Sequence, residues 1–437
     1  MPRIKRQAVL VIHGIGEQKP METLRSFVSA VLPGEGVFSK PDTISLSYEL
    51  RRLTTKLKTR QVTDFFELYW ADKVEGTMLR HVFQWLRGLL FRFPGRVPSR
   101  LRALWVVTWL LLIVIAVLVI AIYRATDAGL IRYWALLGPL VLTVPHAVLM
   151  YHLGDAARYL SPTPQNVATR RAIREAGVDI LRRLHADGKY DRILLVGHSL
   201  GSVIAYDILC YYWAEVNTKF TDPVRVSQDC LAALEHLLYK TDDVVHTPVE
   251  LYRSYQRALW LEMFKQGHVW RVTDLITLGS PLAHAAILLA RDHIDLIQKM
   301  RDRELPTNPP QPDEHAGLSY VLDPPLKNSR DELVSPRVPH HAAAFCCVRW
   351  TNIFYPAVLG LFGDLVGGPL ASLFGEGIRD IPLTTGGWWR HTVFAHTRYW
   401  HRRKSAIPGG PLDASDTLID ALDLGWSSDR VTEPGNS

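Results

Sequence analysis

The chain has 437 residues, 48% of them hydrophobic, which excludes a largely disordered protein and leaves room for one large domain or two ordinary ones. Its formal net charge is +7, but most of the excess lies in one arginine-rich segment beside a long apolar run. No nucleic-acid recognition motif accompanies that charge, so we expect a membrane neighbour and no nucleic-acid partner.

The first elements along the chain are a strand, a helix and a second strand. Residues 7–12 (QAVLVI) form a continuous apolar run, typical of a strand buried on both faces of a parallel sheet, and the run ends at His13-Gly14. Residues 20–32 have the apolar spacing of a helix. Residues 65–70 (FFELYW) are the second strand candidate.

A membrane hairpin is predicted in the middle of the chain. Residues 79–102 contain six arginines and no acid. Residues 78–93 mix arginines with aromatic and leucine residues, which indicates either a helix lying on the lipid surface or an ordinary packed amphipathic helix. Residues 103–123 carry no charge, and at about 1.5 Å per residue they are long enough to cross a bilayer. Residues 133–154 also lack formal charge, but two prolines predict a kinked second span. The arginine-rich flanks place the soluble parts in the cytoplasm, which we interpret as the inner face of a bacterial inner membrane.

Helices and strands alternate after the hairpin, which predicts the α/β class with a mainly parallel, doubly wound sheet. One helix is predicted for residues 165–186, and another follows residue 201. The predicted strands cover residues 192–196 (RILLV), 274–278 (DLITL) and 345–350 (FCCVRW).

Two insertions interrupt this pattern. Residues 212–267 have a helical pattern and are expected to cap the site, whereas residues 302–340 are proline-rich and are expected to form a loop. Residues 353–374 are apolar but contain an acid, four glycines and two prolines, so we interpret them as a strand end followed by an active-site loop.

The four cysteines do not form a C-x-x-C pair. Cys346 and Cys347 are adjacent within an apolar run, which favours buried reduced thiols over a disulfide framework or a zinc site. We therefore expect neither a metal nor an organic cofactor.

The strongest motif is Gly197-His198-Ser199-Leu200-Gly201, a G-x-S-x-G sequence between a strand and a helix. The strand-to-helix turn in such motifs is so tight that only glycine fits at the flanking positions. It raises the serine hydroxyl above the sheet at a helix N-terminus, where a developing anion is favoured. The sequence therefore predicts that Ser199 is a nucleophile.

An oxyanion hole requires two N–H donors, and both can be predicted. The first is the backbone N–H of Leu200, directly after the nucleophile. The second is the N–H of Ile15, in the loop His13-Gly14-Ile15-Gly16 after the first strand. We expect His13, Gly14, Gly16 and His198 to line the substrate site.

The acid and the base of a triad follow the nucleophile in chain order. Asp364 follows a late strand and is the predicted acid, with Asp274 and Asp323 as alternatives. His396 is the predicted base, with His391 and His401 as alternatives. Ser280 precedes Pro281, which is typical of a helix N-cap, so we interpret it as a capping residue and not as a second nucleophile.

Together these motifs resemble the α/β-hydrolase superfamily and its lipase-like branch. Residues 197–207 (GHSLGSVIAYD) and 278–282 (LGSPL) are similar to segments of DDHD-domain phospholipases, although the DDHD signature itself is absent. The segments HGIGEQ, YWAD, W-x-N and H-x-x-Y-W resemble bacterial membrane-associated hydrolases. The resemblance implies Ser199, Asp364 and His396 as the triad. It also implies a sheet without the N-terminal strands of a full eight-stranded one, because the chain starts at the strand before His13.

The domain organisation follows from these interpretations. The hydrolase domain comprises residues 1–78 and 155–405, interrupted by residues 79–154, which hold the amphipathic segment and the hairpin. Residues 406–437 are predicted to be a flexible tail.

The predicted function is ester hydrolysis by acyl transfer through Ser199, with a membrane lipid as the substrate. Ligand sites in open α/β sheets lie at the carboxyl ends of the strands, and the hairpin leaves the sheet from that end. A thioesterase or peptidase acting on soluble or acylated-protein substrates and an inactive membrane scaffold are the alternatives.

Overall fold

The computed structural model describes residues 6–14, 19–34, 36–45, 47–55, 61–73, 97, 102, 105–110, 112–114, 116–117, 159, 164–239, 248–357, 363–384, 392–400 and 413–425. The strands in chain order are β1 Arg6–Ile12, β2 Val37–Pro41, β3 Arg51–Thr55, β4 Val62–Leu68, β5 Arg192–His198, β6 Val272–Leu278, β7 Ser319–Val321, β8 Leu326–Lys327, β9 Leu333–Val334, β10 Arg337–Pro339, β11 Arg349–Phe354 and β12 Arg379–Pro382.

A mostly parallel sheet of eight strands forms the centre of the protein, in the order β12-β11-β6-β5-β1-β4-β3-β2. All pairs from β12 to β4 are parallel, and β2 and β3 extend the β4 edge in antiparallel pairing. The chain therefore starts in the middle of the sheet and winds outward in both directions, as a doubly wound α/β fold does.

Helices cover both faces of the sheet. They are α1 Glu22–Val31, α2 Pro164–Ala186, α3 Leu200–Val216, α4 Asp229–Tyr239, α5 Val249–Lys265, α6 Ala285–Leu288, α7 His293–Arg301, α8 Ala371–Phe374 and α9 Ala414–Leu422. Alternate side chains of β1 enter different cores: Leu10 packs with α2 and α3, whereas Val11 packs with α1 and α9. Burial on both faces is the reason that the β1 sequence is continuously apolar.

Most predicted strands are confirmed, but one was misplaced and three strands of the central sheet were missed. Residues 7–12, 192–196 and 274–278 all lie in strands. The run at 345–350 begins with a buried 3-10 turn, Ala344–Cys346, and the strand itself starts at Arg349. The missed strands β2, β3 and β12 are short and largely polar, so they lack the apolar signal. They complete the eight strands, and β1, the strand before His13, is the first strand in chain order among the described residues, as expected.

The helical insertion at residues 212–267 includes α5, whose buried arginines Arg253 and Arg257 contact groups near the starts of two strands. The Arg253 side chain of α5 donates a hydrogen bond to the Trp350 carbonyl near the start of β11, at 3.2 Å. Arg257 lies 3.7 Å from the Asp274 carboxylate near the start of β6. These contacts correct the predicted cap: α5 packs at the amino ends of the strands.

The predicted loop at residues 302–340 and the predicted tail at residues 406–437 both contain secondary structure. Residues 302–340 contain the short strands β7 to β10, paired as two small antiparallel ladders. The predicted tail contains α9, whose apolar residues Ala414, Leu418, Ala421 and Leu422 are buried in the core beside α1. Their spacing gives the helix one apolar face, so this part of the tail belongs to the folded domain.

In the part of the chain that the structure describes, no helix is long and apolar enough to cross a membrane. Residues 105–110, 112–114 and 116–117 of the first predicted span are helical, whereas residues 133–154 of the second lie outside the described residues. Six apolar side chains of the helical positions are between 42% and 58% exposed: Val106, Leu110, Leu112, Ile113, Val114 and Val117.

Candidate active site

Ser199 occupies a sharp turn between β5 and α3, the two elements that the sequence predicted around it. Its backbone has φ 52° and ψ −129°, a conformation that costs a non-glycine residue on the order of 1–3 kcal/mol. A Cβ on Gly197 would lie 2.5 Å from the Gly201 carbonyl oxygen, and a Cβ on Gly201 would lie 2.5 Å from the His13 carbonyl oxygen. Both glycines are therefore required by close backbone approach, as the motif predicted.

The structure brings Ser199, His396 and Asp364 together, although they are far apart in the sequence. The Nε2 atom of His396 lies 2.8 Å from the Ser199 Oγ. Its Nδ1 atom lies 3.0 Å and 3.1 Å from the two Asp364 carboxylate oxygens. Asp364 follows β11, and His396 lies in the 3-10 turn Val393–Thr397 after β12, so both reach Ser199 at the carboxyl ends of the strands.

The Asp364 carboxylate is buried and accepts hydrogen bonds from several donors. The backbone N–H groups of Val366 and Gly367 donate to Oδ1, each at 2.9 Å, and the Tyr399 hydroxyl donates to Oδ2 at 2.6 Å. Burial alone would raise the pKa of Asp364, but the neighbouring His396 and these hydrogen bonds outweigh it and hold the pKa below its usual range. Asp364 therefore remains an anion that can orient an imidazole.

The alternative acids do not reach this cluster. Asp274 lies near the start of β6, where its carboxylate contacts Arg192 at 2.7 Å and Arg349 at 2.6 Å. Asp323 is exposed in the loop after β7. The alternative bases His391 and His401 lie outside the described residues.

Ser280 caps the 3-10 helix Pro281–His284, as predicted. Its Oγ accepts a hydrogen bond from the Leu282 N–H at 3.3 Å and another from the Ser202 hydroxyl at 2.7 Å. Both contacts support the helix start beside the elbow, and this arrangement gives Ser280 a structural role.

The expected oxyanion donors lie on two elements that meet at Ser199. Leu200 is the first residue of α3, where helical N–H groups have no carbonyl partner within the helix. Gly14 follows β1 and approaches the nucleophile so closely that a Cβ there would lie 2.9 Å from the Ser199 Cβ. Ile15 and Gly16, which complete the predicted loop, lie outside the described residues.

His13 is buried, and both of its ring nitrogens contact the protein. Its Nδ1 lies 2.8 Å from the Gly14 carbonyl oxygen, and its Nε2 lies 3.4 Å from the Trp70 N–H. Its ring stacks on the Trp70 indole with centroids 5.1 Å apart. Burial lowers the pKa of His13 to about 4, so the ring is neutral near pH 7. These contacts give His13 a role in shaping the loop.

His198 contacts His396 through both its ring nitrogen and its ring face. Its Nε2 lies 3.0 Å from the His396 carbonyl oxygen, and the two imidazole rings stack with centroids 5.1 Å apart. The Trp400 ring packs edge-on against His198 at 5.2 Å. His198 therefore supports the turn that carries His396.

Sequence reasoning missed Tyr399 and Gly279 as members of the site. Tyr399 lies three residues after His396, and that spacing entered only as part of the H-x-x-Y-W resemblance. Gly279 has φ +55°, and a Cβ there would lie 2.7 Å from the Tyr399 ring and 2.9 Å from an Asp364 oxygen. Such a contact between distant segments leaves no periodic signal in the sequence.

Comparisons with known proteins do not add a family to this geometry. No family model, no curated protein and no solved structure matches the chain. Within the described residues, no group of three or more histidine, cysteine or acidic side chains is arranged to hold a metal ion.

Proposed function

We propose that the protein is a serine hydrolase that cleaves carboxylic esters through Ser199, His396 and Asp364. The observation that carries this proposal is the hydrogen-bonded series in which the Ser199 Oγ lies 2.8 Å from His396 and His396 lies 3.0 Å from Asp364. A nucleophile, a base and an orienting acid within hydrogen-bond reach are the requirements of acyl transfer. The turn at Ser199 adds the strained elbow of such enzymes.

The chain order and topology support an α/β-hydrolase fold. Ser199 follows the central strand β5, Asp364 follows β11, and His396 follows the edge strand β12. This is the order Ser, Asp, His that accompanies a G-x-S-x-G elbow on a mainly parallel sheet.

In the proposed reaction, His396 Nε2 accepts the Ser199 proton as Oγ attacks the ester carbonyl. The carbonyl π electrons move to the oxygen, which the backbone N–H of Leu200 and a second donor from the loop after Gly14 stabilise. The intermediate collapses, the C–O bond of the ester breaks, and His396 protonates the leaving alcohol. A water molecule, deprotonated by His396, then attacks the acyl carbon. The bond between that carbon and Ser199 Oγ breaks, His396 returns the proton to Oγ, and the carboxylic acid is released.

Asp364 stabilises the imidazolium that forms on His396 and holds its Nδ1 proton. Because the carboxylate accepts two backbone N–H groups, its position is set by the loop and not only by His396. This arrangement keeps the unprotonated Nε2 directed at Ser199 in the resting state.

We further propose that the substrate is an ester of a membrane lipid and that the apolar segment anchors the domain to a cytoplasmic membrane face. The chain leaves the sheet through the 3-10 turn Ala71–Lys73, after the carboxyl end of β4, and α2 contacts that turn after the chain returns. Ser199 lies at the same edge. The side chains of Leu110, Ile113 and Val117 are apolar and exposed, which favours a hydrocarbon environment for the first predicted span.

Labelling with a fluorophosphonate probe tests the nucleophile in the full-length, detergent-solubilised protein. We expect the wild type to be labelled, and Ser199→Ala and His396→Ala to lose labelling. Ser280→Ala is the matched control, because it removes a buried serine at the same edge and should still be labelled. Undiminished labelling of Ser199→Ala would refute the nucleophile, and an unlabelled but folded wild type would favour the scaffold alternative.

The lipid proposal has its own test, namely the hydrolysis of one short-chain ester below and above its critical micelle concentration. We expect a steep rise in rate when the ester aggregates, because the site faces the membrane. A rate that follows monomer concentration alone would favour the alternative of a thioesterase or peptidase with soluble substrates.

A further inference from the structure

Tyr399 makes a short hydrogen bond to the carboxylate that orients the base. Its hydroxyl donates to Asp364 Oδ2 at 2.6 Å, while His396 Nδ1 lies within 3.1 Å of the same oxygen. The side chain of Tyr399 is fully buried. Tyrosine and histidine therefore share one oxygen of one carboxylate, in surroundings where hydrogen bonds to a charged group are strong.

Three contacts fix the position of the tyrosine ring. The Tyr399 oxygen accepts a hydrogen bond from the backbone N–H of Tyr355 at 3.2 Å, and the two rings pack with centroids 5.2 Å apart. On the other side, Gly279 leaves no room for a side chain, since a Cβ there would lie 2.7 Å from the Tyr399 ring. The hydroxyl is therefore directed at Asp364 by its surroundings.

We propose that Tyr399 is a positioning residue of the active site, which fixes the Asp364 carboxylate and withdraws part of its negative charge from His396. This inference rests on the proposed function, because it concerns the same triad. A donor on the oxygen that His396 also contacts leaves less charge to stabilise a protonated His396. Without the Tyr399 hydroxyl, more of the Asp364 charge would act on His396, and a stronger hold on its protonated form would oppose proton transfer from Ser199.

The other titratable groups near this cluster act on His396, Tyr399 or Tyr355. His198 stacks on His396 and bonds to its backbone carbonyl, and Tyr355 packs on the Tyr399 ring. Arg398 and Asp413 act electrostatically on Tyr355. Within the described residues, the side-chain groups that bond to the Asp364 carboxylate are His396 and Tyr399. Removal of the tyrosine hydroxyl should therefore affect His396 through Asp364.

The test is the pH dependence of the rate of fluorophosphonate labelling, measured on the full-length protein. We expect Tyr399→Phe to move the acidic limb upward by about half to one pH unit and thus to slow labelling on that limb by up to about three- to tenfold. Tyr355→Phe is the matched control, because it keeps the backbone N–H that bonds to Tyr399 and should leave the limb in place. A thermal melt of each variant reports whether it is folded.

An unchanged or lowered acidic limb in folded Tyr399→Phe would overturn the inference, even if the maximal rate falls, because a merely structural role slows the reaction at every pH. The same substitution in an Asp364→Asn background adds a second measurement. We expect it to slow that variant less than about twofold, since Tyr399 acts through the carboxylate. An equal slowing in both backgrounds would also overturn the inference. A wild type that is not labelled would instead refute the proposed function.

Discussion

Replacement of Asp364 by asparagine should abolish most of the activity while leaving the fold intact. The amide oxygen can still accept the N–H groups of Val366 and Gly367, which now bond to Oδ1 at 2.9 Å. The amide nitrogen then faces His396 Nδ1, which must become an acceptor, so the ring proton moves to Nε2. A protonated Nε2 cannot accept the proton of Ser199, although it lies 2.8 Å from the Ser199 Oγ.

We expect kcat of Asp364→Asn to fall about 10³- to 10⁴-fold, which corresponds to about 4–5.5 kcal/mol of transition-state stabilisation. The assay is steady-state hydrolysis of a micellar ester, with KM measured separately because the change does not touch the substrate. Ser280→Ala provides the comparison for a substitution nearby that leaves the triad unaltered. A fall of less than about tenfold in a folded variant would refute the role of Asp364 in orienting His396.

Two further predictions concern the fold. Gly201→Ala should destabilise the protein by at least about 2 kcal/mol in urea unfolding, because its Cβ would lie 2.5 Å from the His13 carbonyl oxygen, and an unchanged midpoint would contradict the elbow geometry. Burial lowers the pKa of His185 to about 3 and of His13 and His268 to about 4, so each is neutral when folded and takes up a proton on unfolding below about pH 6.5. We therefore expect the free energy of unfolding of Glu67→Gln, measured by urea titration, to fall by about 2 kcal/mol per histidine as the pH falls from about 6.5 to 5. The Glu67→Gln background is needed because burial raises the pKa of Glu67 to about 7, and protonation of Glu67 would stabilise the fold over the same pH range. Equal free energies of unfolding at both pH values would refute this explanation.

The central strands and the turn that carries Ser199 could be predicted because their signals are local. The apolar runs of β1 and β5 reflect burial on both faces of a parallel sheet, and Ser199 lies within a five-residue motif. The edge strands β2, β3 and β12 could not be predicted in this way. Their side chains are partly exposed and polar, and their pairing depends on the neighbouring strand more than on their own composition.

The helical insertion was placed at the wrong edge for a related reason. Periodicity identifies α4 and α5 as helices, but it does not give the direction in which the connecting chain leaves the sheet. The buried Arg253 and Arg257 of α5 decide that direction, because they contact carbonyl and carboxylate groups near the starts of β11 and β6. Arginines in a helix usually lie on a solvated face, so the sequence carries no signal that these two are buried.

Asp274 and Asp364 show why a perturbed acid alone does not identify a catalytic group. Both are buried, which by itself raises a carboxyl pKa, and in both the neighbouring charges reverse that effect and leave the pKa low. For Asp274 the neighbours are Arg349, Arg257 and Arg192, whose charges it neutralises at the amino ends of the strands. Asp364 lies at the opposite ends, beside His396. A parallel sheet separates these two environments by strand direction, so the position of an acid relative to the start or the end of its strand distinguishes an ion-pair partner from a triad acid.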